Sequence, residues 1–159
     1  PVMIAFITDW DTRLREAYVK EMRDQFRLSD EAEKALAKEQ LAEDEAYFVF
    51  IASIATREPS WNDLNQKRSM WRTTLENKDS TIQVDPERIE LIPQKDESAK
   101  YYYRKMDTFN QTYKIRFPRA ALKDAQDVYF HISGPRGGIT VRFPNPAPKR
   151  SIDDAPDAR

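Results

Sequence analysis

The chain changes its hydrophobic rhythm near residue 46. Before that point apolar residues recur at helical spacing, and after it they mostly alternate. Leu14, Tyr18, Met22 and Phe26 stand four residues apart, a spacing that lines up one side of an α-helix. Thr8-Asp9-Trp10-Asp11 supplies the expected N-cap, with an acidic residue three positions on. Ser29-Asp30 offers a second helix start, with either residue as the cap. Ala32, Ala35, Leu36 and Leu41 then form a thinner apolar face in a stretch rich in Ala, Glu, Lys and Gln, all good helix formers. Residues 8–45 are therefore expected to form a two-helix element. Its four-residue stripe should pack onto the rest of the fold.

From Tyr47 to Ala55 the residues are aromatic, β-branched or small, and apolar at both alternating positions. This predicts a strand covered on both sides, with a continued helix as the competing reading. Glu58-Pro59-Ser60 ends the element either way. A period of two follows. Trp71, Thr73 and Leu75 alternate with Arg72 and Thr74, and Ile82, Val84, Ile89 and Leu91 continue the pattern. Tyr113, Ile115 and Phe117, then Val128, Phe130 and Ile132, then Ile139, Val141 and Phe143 repeat it. Pro86, Pro93, Pro118, Pro144 and the turn Gly134-Pro135-Arg136-Gly137-Gly138 punctuate the runs. The predicted fold class is α+β: two N-terminal helices packed on an antiparallel, Ig-like β-sandwich of about seven strands. Residues 1–145 are expected to form one domain, with the sandwich over 46–144 and a disordered tail over 146–159.

Composition narrows the chemistry. The 159 residues contain no cysteine and a single histidine, His131. That removes thiol nucleophiles, disulfides, zinc fingers and multi-histidine metal sites, and no cofactor or metal is expected. Three glycines leave little material for a phosphate-cradling loop. The net charge of −1 predicts no nucleic-acid partner, yet the charge is unevenly spread. Residues 1–60 carry 13 acids and 8 bases, whereas residues 61–150 carry 11 acids and 17 bases. An acidic segment complementing a basic one within a single fold is the expected consequence. The apolar opening, Pro1 to Ile7, is far too short to span a membrane. It lacks an initiator methionine, so a processed chain is expected, with any membrane contact made only through an upstream anchor.

Candidate binding chemistry lies at the outward strand positions. Arg72, Arg104, Arg116 and Arg142 fall opposite the apolar residues, joined by Tyr129 and His131. Cations interleaved with aromatics can hold an anionic polymer, a glycan or an acidic protein surface. His131 is expected on the outward side of its strand, and no nucleophile motif accompanies it in the sequence. The glycine-bearing turn has strand pattern on both sides, which predicts a hairpin rather than an anion cradle. The acidic pairs and runs at Asp9/Asp11, Glu43-Asp44-Glu45 and Asp153-Asp154 lack the spacing of a calcium loop. The first two read as helix caps and solvated helix faces.

Between Ala46 and Pro144 the strand and turn marks resemble those of uncharacterised bacterial exported proteins and lipoproteins, in which a helical lead-in precedes a small β-sandwich. The marks are Trp71 to Leu75, Pro86 to Ile89, Tyr113-Lys114-Ile115-Arg116-Phe117-Pro118 and Ile132-Ser133-Gly134. The resemblance implies a cell-envelope or periplasmic setting, with or without a lipid anchor. The lipid-bearing cysteine of such lipoproteins is not in this chain. The expected function is a non-enzymatic structural or protein-interaction domain whose partner is another envelope protein. A carbohydrate- or anionic-polymer-binding sandwich is the alternative.

Overall fold

The computed structural model describes residues 1–95, 99 and 110–146. Strand β1 (Met3–Asp9) leads into helices α1 (Thr12–Phe26) and α2 (Asp30–Ala46), and α2 runs directly into β2 (Tyr47–Thr56). Strands β3 (Arg72–Glu76), β4 (Gln83–Val84), β5 (Arg88–Ile92), β6 (Gln111–Pro118), β7 (Asp127–Gly134) and β8 (Gly137–Pro144) follow. They form two antiparallel four-stranded sheets, ordered β1-β2-β6-β5 and β4-β3-β7-β8. The fold is α+β, with eight strands among the described residues where the sequence pattern predicts about seven. Arg104, the expected strand around Tyr101–Lys105 and nearly all of the expected tail lie outside the described residues.

The two sheets face each other across an aromatic core. Phe48, Phe50, Ala52 and Ile54 of β2 point inward with Tyr113, Ile115 and Phe117 of β6. Leu75, Val128, Phe130 and Ile132 meet them from the second sheet. The Phe50 ring lies 5.2 Å from that of Phe130 and 5.1 Å from that of Phe143, so one side chain joins both sheets. The other face of β2 is buried too: Val49, Ile51 and Ser53 are shielded on the helix side. The two-sided strand is the correct reading of this segment, and the continued helix is excluded.

The helical element begins later than its sequence suggests. Residues 3–9 are a strand paired with β2 from Met3↔Thr56 to Asp9↔Phe50. The α1 N-cap is therefore Asp11, whose Oδ1 accepts the Leu14 amide at 2.9 Å, and not Thr8. Ser29 caps α2 by accepting the Ala32 amide. The buried side of α1 is also displaced from the expected stripe. Arg15 and Val19 are the buried residues, while Leu14 and Phe26 are exposed.

Arg15 explains the displacement. Its guanidinium reaches the Trp10 carbonyl at 3.0 Å, Gln40 Oε1 at 3.0 Å and Glu43 Oε1 at 2.9 Å, with Asp44 at 3.7 Å. Asp44 is itself buried and accepts from the Thr12 hydroxyl and from Arg119 at 3.2 Å. Arg119, just after β6, also donates to the Asp44 and Tyr47 carbonyls and stacks on Phe48. Lys114 on β6 completes the tie by donating to Glu43 at 3.1 Å. The acidic helix α2 thus meets basic side chains of α1, of β6 and of the residue just after β6. This set also fixes α2 over the outer face of the first sheet.

Candidate functional site

With α2 on the first sheet, the outer face of the second sheet has no element laid over it among the described residues. Cross-strand register then decides which candidate residues meet. Arg72 lies opposite Ser133, Thr74 opposite His131, and Glu76 opposite Tyr129. On the other side of β7, Tyr129 lies opposite Arg142 and His131 opposite Thr140. Directly paired residues share a face. Arg72, Tyr129, His131 and Arg142 are therefore neighbours on one open surface.

Arg116 does not join them. It sits on the outer face of the first sheet, where its Nε donates to Glu87 at 2.7 Å and its guanidinium stacks 4.4 Å from the Tyr47 ring centre. The Glu87 hydrogen bond raises its pKa further. With Arg88, Glu90 and Lys114 it lines a cavity of about 30 Å³, room for roughly one water. This arginine anchors strands and helix to one another. It is not part of the open face.

The centre of the open face is a polar row that the sequence does not reveal. His131 Nδ1 lies 2.7 Å from Thr140 Oγ1, and its Nε2 lies 3.6 Å from Glu76 Oε2. Glu76 is buried, accepting from Thr74 Oγ1 at 2.6 Å and from Gln83 Nε2 at 3.3 Å. Burial pushes the Glu76 carboxyl up, but hydrogen bonds from Thr74 and Ser80 and the nearby His131 outweigh it and hold the pKa below the ordinary range. Glu76 is thus a fixed anion beneath a half-buried imidazole. His131 lies on the outward side of its strand, as the alternation predicts, but it is not isolated there: it has a carboxylate on one side and a hydroxyl on the other.

Hydroxyl, imidazole and carboxylate are the groups of a proton relay. Here they form a flat strip of sheet with Thr140 exposed at its margin. No group of three or more His, Asp or Glu side chains suited to a metal ion occurs among the described residues. The two arginines at the ends of the face are held loosely. Arg72 lies 3.4 Å from Asp85 and Arg142 4.0 Å from Asp127, and their side chains are 62% and 68% exposed.

The turn beside this face is a hairpin, as its flanking strand pattern predicts. Gly134 is required there by close approach, since a Cβ would come within 2.7 Å of the Trp71 ring and 2.9 Å of the Met70 carbonyl. Arg136 at the tip stacks over Trp61, 4.5 Å from its ring centre. No helix among the described residues is long and apolar enough to cross a membrane. No protein-family model matches the chain, and no curated protein matches it in sequence.

Proposed function

We propose that this chain is a non-enzymatic protein-interaction domain of the bacterial cell envelope, and that it docks its partner on the outer face of the second sheet. One observation carries the reading: Arg72, Tyr129, His131 and Arg142 converge on the open face, while the helices occupy the opposite one. The envelope setting rests on the resemblance of the strand and turn marks to exported bacterial proteins.

The charge pattern favours a protein partner over a polyanion. Each arginine of the set has an acid within 4.0 Å, so the surface is mixed rather than uniformly basic. A complementary surface would place carboxylates against Arg72 and Arg142 and present polar groups to the His131 row. The exposed arginines and the flat, half-buried aromatic between them match the residue types enriched at protein interfaces. The second reading, a glycan, is favoured by Tyr129 itself. It lies in one cross-strand row between Glu76 and Arg142, an apolar ring flanked by hydrogen-bonding groups.

The test is retention of envelope proteins and of purified peptidoglycan by the immobilised chain, compared across three forms. The wild type and an Arg88→Ala control on the first sheet should retain the same envelope protein. The double variant Tyr129→Ala/Arg142→Ala should lose at least about tenfold in affinity for it. Equal retention by the double variant overturns the assignment of the face. Retention of peptidoglycan alone, lost in the double variant, replaces the protein reading with the glycan reading.

A further inference from the structure

The two sides of the sandwich end differently. On one side the sheets finish in β5 and β4, of five and two residues, and β5 carries Arg88 and Glu90. Short, charged edges resist further pairing. On the other side they finish in β1 and β8, of seven and eight residues, each paired along its length to its neighbour in unbroken register. β1 bears no charge before Asp9, and β8 bears only Arg142. Met3, Ala5, Ile7, Ile139 and Phe143 all pack against the common core, so the two strands lie one above the other.

The ladder pattern shows which backbone groups these edges offer. In an antiparallel pair the residues alternate between facing the neighbour and facing away. The Trp10 amide donates to the Val49 carbonyl and the Arg57 amide to the Val2 carbonyl. The even-numbered residues of β1 therefore bond to β2, and Met3, Ala5 and Ile7 turn their N–H and C=O groups outward. The Asn145 amide donates to Gln126 in the same way. Gly138, Thr140 and Arg142 of β8 accordingly face away from β7. Among the described residues these outward groups have no strand beside them.

We propose that this side of the sandwich is a self-association surface, closed by a second copy of the chain about a two-fold axis normal to the sheets. The reason for choosing a second copy is that both edges fall on the same side. One two-fold axis continues both sheets at once, whereas an added single strand serves only one of them. The side-chain pairing is also compatible. An antiparallel match centred on Val141 sets Thr140 beside the second copy's Arg142 and Ile139 beside its Phe143. A match centred on Phe6 sets Ala5 beside Ile7. Neither places like charges opposite each other.

Sedimentation of the full chain across micromolar concentrations, with hydrogen exchange, tests this. The expected result is a monomer–dimer equilibrium in which the Thr140 and Arg142 amides gain protection as the dimer forms. Thr140→Pro removes an outward N–H and should weaken dimerisation at least about tenfold. Thr140→Lys sets a cation against the second copy's Arg142 and should also weaken it, and Arg142→Glu in the same chain should restore it. That charge reversal keeps the test decisive if the proline variant fails to fold. A monomer at every concentration, a dimer indifferent to all three variants, or β8 protection gained only on adding a different protein would overturn the proposal.

Discussion

Asp44 and Arg15 are charged residues at core depth, and their neighbours explain why they can be there. Asp44 accepts from Thr12 and Arg119, and Arg15 donates through Nε and Nη1 to Glu43, Gln40 and the Trp10 carbonyl, its buried Nη2 having no partner among the described residues. Removing one member strands the others in a poorly solvated place, which costs about 3–5 kcal/mol when a buried pair is broken. Asp44→Ala is expected to destabilise the chain by that amount in urea or thermal unfolding, and Glu90→Ala, on the exposed β5 edge, by less than about 0.5 kcal/mol. Asp9 makes the opposite kind of contribution. It faces the core opposite Phe50, and burial, with Asp11 and Asp44 nearby, pushes its carboxyl up to about 7 against the pull of Arg119 and Arg15. A raised folded-state pKa adds stability below the unfolded value, and that contribution is lost as pH rises through the folded value. The wild type should therefore lose stability between pH 4 and 7 relative to Asp9→Asn. At pH 8 the variant should melt about 4 °C or more above the wild type, with no such advantage at pH 4.

At the scale of elements, the period of the pattern was informative wherever one face of an element is apolar and the other is not. Strands β6, β7 and β8 follow their alternation, and β2 is covered on both sides as its double apolar pattern predicts. Strand β1 was not legible, because Met3, Ala5 and Ile7 on one face and Ile4 and Phe6 on the other are all apolar and leave no period to detect. Helix α1 was legible as a helix but not in its rotation. A pattern that counts arginine as polar turns Arg15 outward, whereas its hydrogen bonds turn it inward. The rotation is testable. Val19→Ala removes a side chain that is 5% exposed and should cost about 1–2 kcal/mol. Phe26→Ala removes a larger one that is 59% exposed and should change stability by less than about 0.5 kcal/mol. Chemical denaturation of the two variants gives the comparison.

The candidate site belongs to the whole molecule, since register between distant strands creates it. The sequence supplies outward residues but not the sheet each one faces. Arg116 and Arg142 both occupy the second position before a proline in a closely similar strand, yet they lie on opposite sides of the sandwich. Glu76 and Thr74 from β3 and Thr140 from β8 gather around His131 on β7, and no spacing along the chain marks them. The proposed docking on this face would have an electrostatic component carried by Arg72 and Arg142. Partner affinity should therefore fall as salt rises, and more steeply for the wild type than for Arg72→Ala/Arg142→Ala.

The most direct test of the proposed docking face is site-specific photocross-linking of the chain, added to a bacterial envelope preparation, from two positions on opposite sheets. A photoreactive side chain at Tyr129 should trap one discrete partner, and the same group at Arg88 should trap none. A partner trapped from Arg88 and not from Tyr129 would contradict the assignment of the open face as the docking surface.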